Sequence, residues 1–266
     1  MEPKELSALF PNVAAQMRNA LNDLHLSMSR MISDETREKD PAVDENAARA
    51  DRSYYQLLRL VNSFSMAGWL TDDSPLPLRD RDLVELVGSV CDKAGDLAPY
   101  LGLELRFVCA PESHVCAVEP DALEQLLYHL LSNAFKFTPA GGTVTVELQI
   151  KEKQIFLSVA DTGCGVPEER MNALFSSYLQ KNKMDPPPHG LGLGLALCQC
   201  IARRHGGMIM AQSQVGKGSR FTLSIPNRQL GTGVSDVRFE YAGGFNRTLM
   251  ALADALPSEA FCLRNQ

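Results

Sequence analysis

Two long stretches of helical periodicity at the N-terminus limit the possible folds of this chain more than any other feature. Apolar side chains recur at steps of three and four in residues 6–31 and again in residues 43–70. A narrow apolar stripe of this kind is typical of a helix that buries one face against another helix. The first stripe consists of Leu6, Phe10, Val13, Met17, Leu21, Leu24, Met28 and Met31. The second consists of Val43, Ala47, Ala50, Tyr54, Leu57, Val61 and Phe64.

The connection between the two stripes indicates how the helices are arranged. It reads SDETREKDPA, which is polar and contains a proline, so we expect a turn and an antiparallel hairpin. Two helices cannot enclose a core by themselves, so the hairpin needs a partner. A second copy of the chain would give a dimeric four-helix bundle, and the alternative is packing against the chain's own C-terminal domain. We favour the homodimer, because the apolar positions extend along both helices.

A different pattern begins after residues 73–80, where two prolines and acidic residues predict a linker. In residues 81–228, helical segments alternate with paired runs of period two, which predicts an α/β sandwich. Together with the helical hairpin at residues 1–72, this places the chain in the α+β class. Residues 229–266 predict a C-terminal extension, a strand plus a short helix, which either packs on the sandwich or docks a partner. We favour packing because the extension has a core-facing apolar stripe. That stripe consists of Phe245, Leu249, Leu252 and Leu256.

Composition argues against several classes of protein. Hydrophobic residues make up 45% of the 266 residues, and the net charge is -6 without a basic run, which disfavours disorder and a nucleic-acid-binding face. Seven cysteines without a CxxC pair predict reduced thiols rather than a metal site. No apolar run reaches the roughly 18 residues of a membrane span, and the charged N-terminus is unlike a secretory signal. We therefore expect a cytoplasmic protein without a membrane segment.

Two glycine-rich segments in the second half are difficult to explain by packing alone. DTGCGVP, with Asp161, ends a predicted strand, where glycines let the backbone approach a ligand and a carboxylate can accept a hydrogen bond from an exocyclic amine. GLGLGL leads into a predicted helix, so its amide N–H groups could bind phosphate. Each segment alone is a weak signal. DTGCG could be a simple turn, and GLGLG fits neither the dinucleotide fingerprint nor the P-loop.

The segment NAFKFT, at the end of the preceding predicted helix, adds chemistry suited to a metal and a phosphate. The amide oxygen of Asn133 suits Mg²⁺. Lys136 lies three residues later on the same helix face and could reach a phosphate. The three segments, in this order, leave little room for chance and predict a nucleotide-binding site.

These segments resemble the catalytic ATP-binding domain of sensor histidine kinases, part of a superfamily shared with gyrase and Hsp90-type chaperones. EQLLYHLLSNAFKFTP resembles the asparagine box, DTGCGVP the first glycine box and LFSSY the phenylalanine box. HGLGLGLALCQCIARRHGG and GKGSRFTLSIP resemble the later glycine boxes and the final strands. The resemblance is close over residues 121–226, and it implies a Bergerat-type mixed sheet with helices on one face.

The resemblance also implies a role for each matching residue. Asp161 would bind the adenine amine, and Phe137 would line the adenine side. Asn133 would hold Mg²⁺, and Lys136 would contact phosphate. Ser219 stands where the family often has a threonine near the adenine. The glycines that would shape the pocket and its lid are Gly163, Gly165, Gly190, Gly192 and Gly194. ATP and Mg²⁺ are therefore the implied ligands.

Some positions depart from the pattern of the resembling family. His129 stands where many members have a first asparagine, one helical turn before Asn133. It is either a further nitrogen near the metal or a tolerated polar side chain at the pocket rim. The predicted lid spans residues 176–189. Within it, Ser176 and Gln180 stand where the family often has acidic and arginine residues after LF. We expect ATP binding to survive these changes.

The phosphoacceptor histidine that the resembling family carries on its first hairpin helix is missing here. FPNVAAQMRNAL aligns with Ala15 at the histidine, Gln16 at the neighbouring acid and Asn19 at the threonine. A methyl group cannot accept a phosphoryl group, so we predict that ordinary autophosphorylation is deficient. His25 lies about 15 Å further along the helix and is interpreted as a half-exposed bundle residue rather than a substitute acceptor. Gln16 and Asn19 keep the spacing with which the family positions water to dephosphorylate a response regulator.

The sequence leaves several functions open. The first is a histidine-kinase-like two-component protein that binds Mg-ATP and still transfers phosphate by an unorthodox route. The second is a pseudokinase that regulates a partner kinase or response regulator, which Ala15 and Gln16 favour. The phosphatase role of Gln16 and Asn19 is a further possibility. A gyrase- or chaperone-like ATPase is disfavoured, because it needs a glutamate as water base on the asparagine-box helix and position 129 is histidine, although Glu124 lies on the same helix.

Overall fold

The structure, a computed structural model, describes residues 3–66, 68, 70, 76–171, 174, 193–231 and 246–263. The N-terminal helices are α1 (Pro3–Met31), α2 (Asp34–Lys39) and α3 (Pro41–Met66). Helices α1 and α3 form an antiparallel hairpin. The Phe10 ring lies 4.9 Å from that of Phe64, and the hydroxyl of Tyr54 donates to Asn22 at 3.1 Å. The predicted helical hairpin is confirmed.

The connection between α1 and α3 differs from the predicted turn, because it contains helix α2. Ser33 caps this helix by accepting a hydrogen bond from the N–H of Thr36 at 3.3 Å. Acidic residues in the first turn and basic residues in the last turn stabilise this helix, because their charges interact favourably with the helix dipole. Arg37 then donates to Asp44 at 2.9 Å and to Asp51 at 2.8 Å, both on α3. The charges that suggested a turn therefore form a short helix and hold it on α3.

A five-stranded mixed sheet forms the centre of the second half. Its strands are β2 (Glu104–Cys109), β4 (Thr143–Ile150), β5 (Gln154–Asp161), β6 (Met208–Gln214) and β7 (Gly218–Pro226). Their spatial order is β2-β4-β5-β7-β6, with β2 and β4 parallel and the other neighbours antiparallel. A separate antiparallel pair joins β1 (Arg79–Asp82) and β3 (Val115–Val118), so β1 begins inside the predicted linker.

Helices cover one face of the five-stranded sheet. They are α4 (Leu83–Gly95), α5 (Pro120–Phe137) and α7 (Gly194–Arg204). The 3₁₀ turn Ala98–Leu101 and the short helix α6 (Glu168–Met171) lie in the connections. On β4, Val144, Val146 and Leu148 are buried in the same core as these helices, while the residues between them are partly exposed. Because side chains of a strand alternate between its faces, this burial identifies the covered face. The predicted α+β class, with a mixed sheet and helices on one face, is confirmed.

The C-terminal segment packs between the hairpin and the sandwich. It contains helix α8 (Arg247–Leu252) and a 3₁₀ turn, Ser258–Phe261. Asn246 caps α8 by accepting hydrogen bonds from the N–H groups of Thr248 and Leu249, each at 3.0 Å. The stripe residues that are buried here are Leu249, Leu252 and Leu256. Phe245 and the predicted strand before it lie outside the described residues.

None of the helices in the described ranges combines the length and the apolar character needed to cross a bilayer.

Candidate functional site

The aspartate of the DTGCG segment lies at the end of a central strand of the sheet. Asp161 pairs in register with Val144 of β4 and Ser219 of β7. Its Oδ1 accepts hydrogen bonds from the N–H of Gly163 at 2.9 Å and of Ser219 at 3.2 Å. Burial raises the pKa of Asp161, and the two hydrogen bonds oppose that effect. The two bonds fix the orientation of the carboxylate at the end of the strand.

The loop after Asp161 approaches its neighbours so closely that glycine is required. A Cβ on Gly163 would lie 2.3 Å from the carbonyl oxygen of Phe137. Gly165 has a φ of +71°, and its Cβ would lie 2.1 Å from the carbonyl oxygen of Gln214. The N–H of Cys164 donates to the carbonyl of Phe137 at 3.2 Å. The loop is therefore held between the end of α5 and the end of β6.

Helix α5 brings the asparagine-box residues to the same loop. Phe137, the last residue of α5, is 49% exposed beside the glycine loop that its carbonyl contacts. Asn133 lies one turn earlier and is half-buried. Residues three and four apart share one helix face, so Asn133 is positioned near the loop that Asp161 begins.

His129, a further turn back on α5, is buried rather than placed at a rim. It is 7% exposed, and its Nδ1 would lie 3.3 Å from a Cβ on Gly194, the first residue of α7. Its Nε2 has no hydrogen-bond partner among the described residues. Burial, followed by the charges of Arg59 and Lys136, lowers the pKa of His129 to about 3. The ring is therefore neutral at pH 7.

Lys136, the predicted phosphate contact, is paired with a carboxylate of the C-terminal segment. Its Nζ donates to Oδ2 of Asp254 at 3.0 Å, and Arg59 of α3 contacts the same oxygen at 2.5 Å. Burial, and then repulsion by Arg59, lowers the pKa of Lys136. Neither Arg59 nor Asp254 is predicted from the sequence as a site residue. Each is a single charge in an ordinary helical pattern, and the fold alone brings them to Lys136.

The remaining predicted residues are distributed as follows. The hydroxyl of Ser219 lies 3.0 Å from that of Ser213, next to the Asp161 carboxylate. Gly194 begins α7. Gly190 and Gly192 lie outside the described residues, as do the predicted lid (176–189, with Ser176 and Gln180) and residues 175–178 of the phenylalanine box.

The positions around the predicted acceptor site lie on the surface of α1. Ala15, Gln16 and Asn19 are all exposed. Contacts with α3 hold His25 within the hairpin. Its Nε2 lies 3.1 Å from Oδ1 of Asp51, and its ring stacks on that of Tyr54 with the centroids 4.0 Å apart. The interpretation of His25 as a partly exposed bundle residue agrees with these contacts.

The mixed sheet carries a carboxylate at a strand end, a glycine loop and an adjoining asparagine-bearing helix, as expected for the ATP-binding domain that the sequence resembles. Residues 118–229 match the family described as histidine kinase-, DNA gyrase B-, and HSP90-like ATPase. This region of the chain is therefore a histidine kinase-like ATPase domain.

Curated relatives are similar to part of the chain. The adaptive-response sensory kinase SasA of Synechococcus sp. (strain JA-3-3Ab) is 39% identical over 157 residues, which cover 56% of this chain and 41% of that protein. The sensor histidine kinase Hik2 of Thermosynechococcus vestitus is 34% identical over 161 residues, covering 59% of this chain and 42% of that protein. The matches thus span less than half the length of these relatives.

A solved structure is similar over more than the ATPase domain. Full-length ShkA in complex with AMPPNP is 25% identical, with a TM-score of 0.63, and the match covers 90% of this chain and 48% of that one. A match of this extent includes residues of the helical hairpin as well as the sandwich.

Proposed function

We propose that this protein binds Mg-ATP beside Asp161, forms a homodimer through its hairpin and acts in a two-component pathway without ordinary histidine autophosphorylation. The observation that carries the proposal is the fixed carboxylate of Asp161 at the strand end, with the glycine loop folded around it. It is supported by the ATPase family match and by the kinases to which the chain is similar.

The adenine would bind at the Asp161 end of the site. Because Oδ1 is occupied by the N–H groups of Gly163 and Ser219, Oδ2 is the oxygen that would accept the exocyclic amine. Phe137, with its ring half exposed next to the loop, would cover one side of the base. This arrangement selects a base that donates a hydrogen bond, as adenine does.

The phosphates would lie towards Asn133, Lys136 and the start of α7. The half-buried amide of Asn133 fits Mg²⁺ through its oxygen, and the ion would offset phosphate charge. Lys136 would bind phosphate through its ammonium group, and α7, which begins at Gly194 without a side-chain cap, would offer backbone N–H groups. The metal role of His129 remains a prediction. Its neutral nitrogen is a weaker partner for Mg²⁺ than an oxygen.

The chemistry of α1 supports a pseudokinase rather than a kinase. Ala15 has no nucleophile to receive a phosphoryl group, and Gln16 has no charge to act as a base. Nucleotide binding would then set the conformation of the protein and its interaction with a partner kinase or response regulator.

A phosphatase is the second candidate, because Gln16 and Asn19 are both exposed and lie three residues apart on one face of α1. Two amides there could orient a water molecule against a phosphorylated receiver domain. The test is the lifetime of a phosphorylated receiver with the wild type and with a Gln16→Ala/Asn19→Ala variant. A lifetime that the wild type leaves unchanged would exclude this activity.

The main proposal is tested by incubating the full chain with γ-labelled Mg-ATP and measuring nucleotide affinity in parallel. We expect Mg-ATP binding that Asp161→Ala reduces by at least about tenfold, since a charge-assisted hydrogen bond is lost, and no labelled protein. Acid-labile label that is absent in Asp161→Ala would show a surviving acceptor, with His25 as the next residue to change. Absence of nucleotide binding would refute the proposal.

A further inference from the structure

A cluster of buried charges joins three parts of the chain that are far apart in sequence. Arg59 belongs to α3 of the hairpin, Lys136 to the end of α5, and Asp254 to the turn after α8. Oδ2 of Asp254 accepts from Lys136 at 3.0 Å and contacts Arg59 at 2.5 Å. The side chains are 14%, 11% and 20% exposed for Arg59, Lys136 and Asp254, so these ion pairs lie mostly away from water.

The cluster contains more positive than negative charge. Within the described part of the chain, two cations share the carboxylate of Asp254, and burial lowers the pKa of both Arg59 and Lys136. The neighbouring His129 is neutral, because its pKa is lowered to about 3. Buried cations are stable only when an anion is paired with them, so the cluster is built to hold an anion.

The cluster adjoins the nucleotide site. Lys136 precedes Phe137, whose carbonyl accepts a hydrogen bond from Cys164 in the glycine loop at 3.2 Å. It also follows Asn133 by one helical turn. In the proposed function the ammonium group of Lys136 binds phosphate. In this structure the same group is paired with the carboxylate of Asp254.

We propose that Arg59 and Lys136 form a polyphosphate site, that Asp254 occupies it as an internal competitor, and that Arg59 is a phosphate-binding residue contributed by the hairpin. This inference rests on the proposed function, because the polyphosphate is that of the bound nucleotide. Carboxylate and phosphate both pair with lysine and arginine, so the two anions compete for the same donors.

Displacement of Asp254 would alter the contacts between the hairpin and the C-terminal segment that contains Asp254. Gln56 of α3 donates to the carbonyl of Ala253 at 3.3 Å, and Tyr128 of α5 lies 2.8 Å from the hydroxyl of Thr248 on α8. The same short segment thus contacts both domains. Polyphosphate binding would exchange the contact of Arg59 with Asp254 for one with the ligand, which gives the nucleotide a direct effect on α3.

The test is calorimetric titration of the full chain with Mg-AMPPNP, comparing the wild type with Asp254→Asn. Glu259→Gln is the matched control, since it removes one negative charge from an exposed position of the same segment. We expect Asp254→Asn to bind at least about fivefold more tightly, the lower end of typical coupling between sites, and Glu259→Gln to bind like the wild type. Equal affinities of the wild type and Asp254→Asn would overturn the inference and leave the proposed function intact.

Inorganic tripolyphosphate separates the inference from the proposed function, because it has no adenine. Should no variant bind Mg-AMPPNP, the proposed function fails, yet tripolyphosphate must still raise the melting temperature of Asp254→Asn more than that of the wild type. Adding Arg59→Gln to Asp254→Asn must remove that gain. Equal shifts in the wild type and Asp254→Asn would overturn the inference.

Hydrogen–deuterium exchange on the unaltered chain covers the case in which Asp254→Asn does not fold. The N–H groups of Ala255 and Leu256 both bond to the carbonyl of Leu252, at 2.8 and 3.1 Å, and so report on the turn that holds Asp254. We expect saturating tripolyphosphate to accelerate exchange in residues 246–263. Exchange that stays unchanged would contradict the displacement of Asp254.

Discussion

At the scale of single residues, His129 shows how burial decides the chemistry of a side chain. Its sequence position marks it as a possible metal contact, but the ring is 7% exposed and lies near Arg59 and Lys136. Burial and these two charges lower its pKa from 6.5 to about 3. Below pH 6.5 the unfolded chain therefore binds a proton at His129 that the folded chain does not, and stability is lost as the pH falls from 6.5 towards 3.

We expect His129→Gln to reduce the acid sensitivity of the fold. The loss of stability between pH 7 and pH 5 should be smaller than in the wild type by up to about 2 kcal/mol, the linkage for one proton over this interval. Urea denaturation at a series of pH values measures it. His114→Gln controls for the loss of an imidazole elsewhere, and identical pH profiles for the wild type and His129→Gln would contradict this account.

At the scale of elements, helix α1 has two adjacent apolar stripes. The first packs on α3 and includes the buried Ala14 and the partly buried Phe10, Leu21 and Met28. The second is exposed, at 41% for Val13, 47% for Met17, 56% for Leu24 and 84% for Met31. At about 100° per residue, the exposed four fall within an arc of about 40°. An unpartnered stripe of this regularity supports the homodimer of the proposed function.

The double variant Met17→Glu/Leu24→Glu tests this stripe. Each side chain would gain on the order of 1 kcal/mol by burial against a second copy, whereas two glutamates there would have to be desolvated. We expect the variant to be monomeric in analytical ultracentrifugation, with an unchanged circular dichroism spectrum.

The matched control is Asn12→Glu, which places the same charge at an exposed polar position of α1 outside the apolar arc. It should retain the association state of the wild type. A wild type that is monomeric at tens of micromolar, or a double variant that remains dimeric, would refute the role of this stripe.

At the scale of the whole molecule, the C-terminal segment joins the hairpin to the sandwich. The ring of Phe261 is fully buried, with its centroid 5.7 Å from that of Tyr55 on α3. Its carbonyl accepts a hydrogen bond from Arg37 at 3.1 Å, and the N–H of Leu263 donates to Asp44 at 3.1 Å. Residues 246–263 thus connect α3, at positions from Asp44 to Arg59, to the core of the ATPase domain.

Phe261→Ala should therefore uncouple the two parts of the chain. We expect a loss of about 3–5 kcal/mol, as for other buried phenylalanines, and a broadened or divided unfolding transition in urea. Leu230→Ala is the control, since Leu230 is 51% exposed and lies outside this segment. A single sharp transition with unchanged stability would show that the hairpin and the sandwich are joined by other contacts.

The sequence by itself determined the elements and their local chemistry. The period of the apolar residues predicted the hairpin helices and the strands, because a helix and a strand repeat their faces every 3.6 and 2 residues. The glycines of DTGCG marked the loop after β5, since Gly163 and Gly165 leave no space for a Cβ. These signals are readable because each arises within a few consecutive residues.

The tertiary structure decided what depends on residues far apart in the chain. The pairing of β1 with β3, the burial of His129 and the ion pairs of Asp254 with Arg59 and Lys136 have no local pattern. Helix α2 also depended on such contacts, because Arg37 holds it against Asp44 and Asp51 of α3. The sequence pattern of an amphipathic helix is the same whether a charged side chain contacts water or a buried carboxylate. Only the tertiary fold determines which of the two partners it has.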